Sequence, residues 1–343
     1  MSRGGASPPR RINLALQGGG AHGAFTWGVL DRLLEEPAIE IEGICGTSAG
    51  AMNAVALAQG FMDDGAEGAR AALDRFWDTV ARVGAMSPIQ RSVIDRLLGS
   101  WRLETSPAYL MFDLFTRMLS PHQFNPLNLN PLRDLLDEAI DFERVRACRE
   151  LKLFVCATNV RSGKIKVFTN PELSADAIMA SACLPHLFQA VEIGGEPYWD
   201  GGYMGNPAIF PLIYHCQSSD VVIVQINPLH RETVPVAAHD IMNRVNEISF
   251  NSTLMREMRA VHFVTRLIDE GRLERGHYKR MLIHMIEADE ALKPLGASSK
   301  ANVERDFLLH LKGIGRTACT DWLKRNLDRL GVESTVDLEA TWL

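Results

Sequence analysis

Two glycine-rich turns near the start of the chain constrain its fold more than any other feature of the sequence. The first, residues 18–23, follows an alternating apolar strand and precedes apolar residues that recur at helical spacing. The second, residues 46–50, also follows a short apolar strand and precedes a helix predicted over residues 51–59. Repeated strand–turn–helix units predict an α/β fold with a mainly parallel central sheet.

The alternation of strands and helices continues as far as residue 230. A continuous apolar strand is predicted over residues 151–160, and another strand ends at Asp200. Residues 221–226 are almost all apolar, which is typical of a strand that a parallel sheet buries on both faces. Beyond residue 230 the apolar spacing is mainly helical, with one short strand predicted at residues 281–286.

These patterns predict three segments: a disordered N-terminus (1–10), an α/β domain (11–230) and a mainly helical C-terminal extension (231–343). Within the α/β domain, residues 84–130 combine several prolines with apolar side chains. This insertion has two interpretations that the sequence leaves open. It is either a set of helices packed on the core, or a lid that covers an apolar substrate groove.

Composition excludes several classes of function. The 343 residues carry a net charge of −6, which gives no electrostatic reason to bind nucleic acid. No stretch approaches the about 20 apolar residues that cross a bilayer, and the N-terminus lacks the apolar core of a secretion signal. The six cysteines have no metal-ligand spacing. We expect a cytoplasmic protein without a metal, at most peripheral to the inner membrane; the oligomeric state is left open.

The second turn, Gly46-Thr47-Ser48-Ala49-Gly50, matches the G-x-S-x-G pattern of a nucleophile elbow. A serine on a sharp strand-to-helix turn projects its hydroxyl clear of the backbone, and the flanking glycines remove Cβ atoms that would collide there. The following helix directs its first N–H groups, including that of Ala49, toward negative charge that develops on a substrate. The pattern predicts Ser48 as a nucleophile.

The first turn contains three consecutive glycines, Gly18, Gly19 and Gly20. Its spacing does not fit a phosphate-binding loop, because G-x-x-x-x-G-K-[ST] is absent, nor a dinucleotide fold. Unhindered backbone N–H groups can instead converge on a tetrahedral intermediate as an oxyanion hole. We predict this role for the three glycines, together with Ala49.

A third feature is Asp200, which ends a predicted strand and precedes Gly201 and Gly202. An acidic residue before two glycines is usually part of a turn. A serine nucleophile needs a base, however, and a partly desolvated carboxylate held against Ser48 could accept its proton. We therefore predict Asp200 as that base, with a raised pKa.

Together these features resemble the patatin-like phospholipase family. The family has a glycine-rich oxyanion loop, a G-x-S-x-G serine, an A-S-x-x-x-P block and a D-G-[GA] aspartate, in this order. Here the corresponding blocks are residues 18–23, 46–50, 180–185 and 200–202. The resemblance covers roughly residues 11–230 and implies a three-layer α/β/α fold and a Ser–Asp dyad without a histidine. It also implies hydrolysis of lipid or fatty-acyl esters, with no cofactor.

One departure from the family pattern concerns His22. Many bacterial relatives have arginine at this position, which would be permanently charged beside the oxyanion loop. A histidine is charged only below its pKa. His22 either modifies substrate choice and pH response through that charge, or simply packs at the start of the helix.

Alternative functions remain open at this stage. An α/β-hydrolase triad would need a histidine near Ser48, and the candidates are His186, His215, His230, His239 and His262. An acyltransferase of the malonyl type normally has a histidine beside the serine, whereas Thr47 and Ala49 flank Ser48. The same site could also cleave thioesters or hydrophobic polyesters. A lipid-binding regulatory protein without turnover is the non-enzymatic alternative.

Overall fold

The computed structural model describes residues 8–274 and 277–343, apart from the side chain of His239. Most of the N-terminal segment predicted to be disordered, residues 1–7, therefore lies outside the described residues. Arg10, which the sequence analysis assigns to that segment, instead begins the first strand, because its backbone pairs with Ile39 of the second strand.

A single sheet of eight strands forms the centre of the described structure. Its order is β5-β6-β3-β2-β1-β7-β8, and β4 pairs with β3. The pairs that link β3, β2, β1, β7 and β8 are parallel, whereas β4, β5 and β6 join antiparallel. The predicted mainly parallel sheet is thus confirmed. The strands are β1 (Arg10–Leu16), β2 (Ile39–Gly46), β3 (Lys152–Asn159), β4 (Ile165–Thr169), β5 (Val191–Ile193), β6 (Glu196–Asp200), β7 (Asp220–Val224) and β8 (Leu282–Ile286).

The helices are α1 (Gly23–Leu33), α2 (Ala49–Gly84), α3 (Val93–Leu97), α4 (Pro107–Met118), α5 (Pro121–Phe124), α6 (Pro131–Ala139), α7 (Phe142–Ala147), α8 (Ala175–Ser181), α9 (Phe210–His215), α10 (Ala238–Asp269), α11 (Asp289–Leu292), α12 (Arg305–Asn326) and α13 (Leu338–Trp342). Helix α2 contains the predicted helix at residues 51–59 and is interrupted at Asp64 and Gly65, whose backbone angles are not helical. None of the helices in residues 8–274 and 277–343 is both long and apolar enough to cross a membrane.

Alternation of side chains along the strands produces the three layers. In β7, Val222 and Val224 point into one apolar core, while Val221 and Ile223 point into the other. Helices α1, α2, α6, α7, α8 and α12 cover the first face, and α9, α10 and α13 cover the second. This arrangement confirms the expected three-layer α/β/α fold.

The C-terminal region is mainly helical, as predicted, and it also completes the sheet layers. Strand β8 pairs in parallel with β7. Helix α12 packs closely on α1, and a Cβ atom added at Gly28 would collide with the carbonyl oxygen of Lys312. The boundary at residue 230 stays a prediction, but the residues beyond it are part of the same layers as those before it.

Candidate active site

The predicted site residues lie at the carboxyl edge of the parallel strands. Residues 18–20 follow β1 and Ser48 follows β2, and Leu16 and Gly46 at the ends of these strands are paired in register. The two turns are so close that a Cβ atom added at Gly18 would lie 2.8 Å from the Cβ of Ser48. The parallel pairing therefore brings the glycine loop against the serine.

Asp200 reaches the same place through antiparallel pairing. Its partner in β3 is Ala157, two residues beyond Val155, which pairs with Gly46 of β2. The segment after Asp200 also contacts the serine turn, because the Thr47 hydroxyl donates to the carbonyl of Gly205 at 2.6 Å. Ser48 and Asp200 are therefore brought together by sheet register.

The backbone at Ser48 is strained, with φ of 53° and ψ of −121°. Glycine neighbours make this turn feasible: a Cβ atom at Gly46 would lie 2.7 Å from the carbonyl of Gly50, and one at Gly50 would collide with the carbonyl oxygen of Leu16. The N–H of Ser48 donates to the hydroxyl of Ser181 at 2.9 Å. The turn thus holds the serine side chain away from its own backbone.

Asp200 is buried, with 4% of its surface exposed. Its Oδ1 accepts the N–H of Gly202 at 2.7 Å, and the Ser48 side chain lies close enough to the carboxyl group to affect its pKa. Burial raises the pKa of Asp200 to about 7, although the hydrogen bond from Gly202 and the nearby Ser48 side chain oppose the shift. A carboxylate with such a pKa can exchange a proton near neutral pH.

The N–H groups near Ser48 are not equivalent. That of Gly18 donates to Oδ1 of Asn206 at 2.7 Å, so it is already occupied. Gly20 has a positive φ of 58°, which glycine adopts without strain. Ala49 is the first residue of α2, where an N–H group has no acceptor within the helix. Of the four predicted donors, Gly18 is therefore the one whose N–H the structure assigns to another partner.

Comparison with known proteins adds to this geometry. A model of the patatin-like phospholipase family matches residues 14–213, more than half of the chain. The chain belongs to the patatin-like phospholipase family. The matched region contains both glycine turns, Ser48, Ser181 and Asp200, but it ends before α10, β8 and α12. The sequence matches none of the curated proteins compared with it.

Two solved structures of bacterial proteins resemble this patatin-like chain at low identity. VipD from Legionella pneumophila is 16% identical with a TM-score of 0.41, and the match covers 92% of this chain and 67% of VipD. ExoU, in its heterodimeric complex with SpcU from the type III secretion system of Pseudomonas aeruginosa, is 18% identical with a TM-score of 0.38; the match covers 95% of this chain and 53% of ExoU. The chain thus spans about half the length of ExoU. At these TM-scores the likeness carries no further conclusion.

A buried polar network supports the glycine loop of this patatin-like site from behind. Gln17 accepts the N–H groups of Ile226 and Asn227, each at 2.9 Å. The Asn227 side chain donates to the carbonyl of Gly18 at 2.8 Å and accepts a hydrogen bond from Lys300 Nζ at 2.7 Å. Burial lowers the pKa of Lys300. The lysine behind the loop therefore comes from outside the region that the family model matches.

His22 does not supply a charge at this place. Its ring is buried against Phe307, and its Nε2 lies 2.7 Å from the hydroxyl of Ser299. Because that hydroxyl donates its proton to the carbonyl of Gly296, Nε2–H of His22 is the donor in this pair. Burial and the nearby Lys300 lower the pKa of His22 to about 3. The imidazole is consequently neutral near pH 7, as expected of a histidine packed at the helix start.

Among the candidate triad histidines whose side chains the structure describes, none forms a hydrogen bond with Asp200. Side chains of His186, His215 and His230 are exposed, and His215 stacks on Phe154 near the start of β3. His262 is half-buried on α10, and the side chain of His239 lies outside the described residues. In the described part of the chain, no group of three or more His, Cys, Asp or Glu side chains could hold a metal ion.

Three residues of the site had no individual role predicted from the sequence. Ser181 belongs to the A-S-x-x-x-P block, which signalled the family but not a contact with the Ser48 N–H. Asn206 follows the D-G-G motif closely, and its Oδ1 accepts the N–H of Gly18. Lys300 has no signal in the sequence, because an isolated lysine beyond the family motifs is indistinguishable from a surface lysine.

Proposed function

We propose that the chain is a serine hydrolase of lipid carboxylic esters that uses Ser48 as nucleophile and Asp200 as base. The observation that carries the proposal is the closeness of the Ser48 side chain to the buried Asp200 carboxyl group, whose pKa it lowers. Membership of the patatin-like phospholipase family supports a lipid ester as the substrate. Phospholipase A, lysophospholipase and esterase activities are all within this proposal.

The first half of the reaction forms an acyl-enzyme. Asp200 takes the hydroxyl proton while Ser48 Oγ attacks the ester carbonyl carbon, and the carbonyl oxygen becomes an oxyanion. The tetrahedral intermediate then collapses, the bond to the leaving alcohol breaks, and Asp200 returns the proton to that alcohol. The second half uses water in place of Ser48, so that the fatty acid is released and Ser48 recovers its proton.

The oxyanion needs hydrogen-bond donors that have no other partner. We assign this role to the N–H groups of Gly19, Gly20 and Ala49. Gly18 was also predicted as an oxyanion donor from the sequence, but it is left out here because its N–H already donates to Asn206. Gly18 instead provides room, since a side chain there would collide with the carbonyl of Thr47 and the Cβ of Ser48.

The insertion at residues 84–130 borders a cavity of about 750 Å³ beside this site. The lining of the cavity includes His122 and Leu129 of the insertion, together with Met179, Cys183 and Phe188. The carbonyl of Cys183 accepts the Asp200 N–H at 2.7 Å, which connects the cavity to the proposed base. We propose that this cavity receives part of the substrate and that the insertion acts as its cover.

The decisive experiment compares wild type with Ser48→Ala and Asp200→Asn on p-nitrophenyl esters of several chain lengths and on mixed phospholipids. We expect both variants to lose at least about 10²-fold in turnover, because each removes a group that acts in the transition state. EDTA should leave turnover unchanged, since the protein supplies the base and the oxyanion donors.

Other outcomes would change the proposal. An active Asp200→Asn variant beside an inactive Ser48→Ala variant would indicate a different base. Wild type that releases no acyl chain from any ester or lipid would favour acyl transfer to another acceptor, thioester or polyester cleavage, or lipid binding without turnover.

A further inference from the structure

Helix α4 has its apolar face turned toward solvent. Its apolar residues Leu110, Met111, Leu114, Phe115 and Met118 recur at helical spacing and are all exposed, with Met118 at 73%. No residue of α4 is buried. An amphipathic helix on a globular protein normally buries this face, but none of the described residues covers it on α4.

Two other helices show the same feature. In α3 and at its end, Val93, Ile94, Leu97 and Leu98 are exposed, with Leu97 at 82%. The first half of α10 exposes a stripe at helical spacing that consists of Ile241, Met242, Val245 and Ile248. We refer to the exposed apolar faces of α3, α4 and the first half of α10 as the apolar rim.

The segment that leads into α4 is anchored next to the glycine loop. The Leu103 N–H donates to the Ser298 hydroxyl at 3.2 Å. Two residues further along, the carbonyl of Lys300 is packed so closely on the loop that a Cβ atom at Gly20 would lie 2.5 Å from it. Helix α4 therefore begins beside the proposed oxyanion site.

The segment that leaves α5 is anchored next to Asp200. The Gln189 side chain donates to the carbonyl of Asn125 at 3.0 Å. The thiol of Cys183 donates to the carbonyl of Gln189 at 3.1 Å, and the carbonyl of Cys183 accepts the Asp200 N–H. Both ends of the α4–α5 segment are thus tied to residues that surround Ser48.

Helix α10 reaches the same site. Phe250 packs edge-on against Tyr203, just after Asp200, with 5.2 Å between ring centroids. The side chain of Asn251 accepts a hydrogen bond from Gln17 at 3.3 Å. The exposed stripe of α10 ends at Ile248, two residues before Phe250, so the apolar rim approaches the site from a second direction.

We infer that the apolar rim docks on the surface of a lipid bilayer and brings the Ser48 site to acyl esters that lie in it. This inference rests on the proposed function in one respect only, namely that the substrate is a membrane lipid. The occupant is a lipid surface because the rim consists of helix faces from separate segments, and those of α4 and α10 are tied to residues near Ser48. A bilayer can contact all of them while its own molecules supply the substrate.

The charges of the rim indicate which lipid surface it fits. On α4, Asp113 and Arg117 form an ion pair with each other at 2.8 Å, so the helix presents no net charge through this pair. The whole chain is acidic, with a net charge of −6. Attraction to anionic headgroups is therefore not the driving force. Binding is driven instead by contact between the apolar side chains and the acyl region of the bilayer. Binding should occur on neutral bilayers and should resist salt.

The test measures flotation of the Ser48→Ala protein with phosphatidylcholine vesicles, which separates binding from turnover. Leu114→Glu/Met118→Glu on α4 and Val245→Glu/Ile248→Glu on α10 should each lower vesicle affinity about tenfold or more, because two apolar side chains lose their contact with lipid. About 1 M salt should leave the affinity of the parent protein unchanged.

Val332→Glu is the matched control. Val332 is 68% exposed and follows Gly331, whose N–H donates to Asp220 at the first residue of β7, the end of the parallel strands away from Ser48. This variant should bind vesicles as the parent does. Circular dichroism and thermal unfolding check that each variant is folded. The double variants on α4 and α10 change different helices, so each tests the rim independently of the other.

Four results would overturn the inference. Rim variants that are folded and bind like the parent would exclude the rim as the docking surface. Binding only to anionic vesicles at low salt would indicate an electrostatic surface elsewhere. A dimer in sedimentation velocity that Leu114→Glu/Met118→Glu dissociates, without vesicle binding, would assign the rim to a second copy of the chain.

A wild type that hydrolyses esters but does not bind vesicles refutes only this inference, whereas intact binding without hydrolysis refutes only the proposed function.

Discussion

At the scale of single residues, the ionisation state of Asp200 controls the proposed reaction. The carboxyl group must be charged to accept the Ser48 proton, yet burial favours its neutral form and raises its pKa to about 7. The titratable groups nearest to it, Cys183 and Tyr203, have pKa values raised to about 12 by burial and by Asp200 itself. Asp200 is therefore the group in this cluster that titrates near neutral pH.

A pH profile tests this assignment. Since only the ionised carboxylate is a base, kcat/KM on a short soluble ester should rise through about pH 7 and reach a plateau above it. One unit below the pKa the rate should be about a tenth of the plateau, because about a tenth of the carboxyl groups are ionised there. A rate that stays constant between about pH 6 and 8 would assign the base to another group.

The same shift predicts an effect on stability. The pKa of Asp200 is higher in the folded chain, about 7, than its ordinary value of 3.8. The folded state thus prefers the protonated form, and this contribution to stability is lost as pH rises from 3.8 through about 7. Asp200→Asn, which cannot ionise, should raise the free energy of unfolding at about pH 8 by about 1–3 kcal/mol and much less at about pH 4. Urea unfolding at both pH values measures this; equal effects would contradict it.

At the scale of elements, the turn between β2 and α2 is possible because Gly46 and Gly50 carry no side chains. Ser48 has its strained backbone because α2 begins immediately after it and packs against the end of β1. The close contact is with the carbonyl of Leu16, a backbone atom inside the sheet that cannot move aside. The geometry of the elbow is therefore a property of the strand–turn–helix unit rather than of Ser48 alone.

Gly50→Ala is expected to be strongly destabilising for this reason. The added methyl group would collide with the Leu16 carbonyl, and we expect a loss of about 2–5 kcal/mol in the free energy of unfolding, or failure to fold. Gly313→Ala is the control, since Gly313 lies in α12 with open space around its Cβ position. That change should stabilise the chain by about 0.5–1 kcal/mol through helix propensity. Denaturant unfolding compares the two, and a neutral Gly50→Ala would refute the packing argument.

At the scale of the whole molecule, the region beyond residue 230 completes both the sheet and the site. Strand β8 extends the sheet next to β7, and α12 packs on α1. Lys300 lies between them in sequence and supports the glycine loop through Asn227. The patatin-like site is thus assembled from the matched family region together with residues outside it.

Lys300→Met tests this coupling. The change keeps a chain of similar length but removes the hydrogen bond to Asn227, so the Gly18 carbonyl loses part of its support. We expect kcat to fall about tenfold, less than for loss of an oxyanion donor, with KM changed little. Stability should not fall in proportion, because burial of the polar amine is unfavourable in itself. Lys324→Met, at an exposed lysine, is the matched control and should leave kcat unchanged; equal kcat values for all three proteins would remove Lys300 as a positioning residue.

The sequence by itself determined the local architecture of this protein. Strand–turn–helix units around residues 18–23 and 46–50 predicted the α/β fold, and the order of four motifs indicated the family that the comparison then identified. These features are readable because turn geometry depends on adjacent residues and on the absence of Cβ atoms. The catalytic roles of Ser48 and Asp200 stay predictions, to be tested by their variants.

Tertiary structure alone decided which groups around Ser48 are charged, occupied or free. The N–H of Gly18 is taken by Asn206, His22 is neutral, and the Lys300 amine donates to Asn227 behind the glycine loop. The outward apolar faces of α3, α4 and α10 are likewise visible only once the core is known. Burial and hydrogen-bond partners depend on segments far apart in the chain, and local periodicity contains no information about which of them will meet.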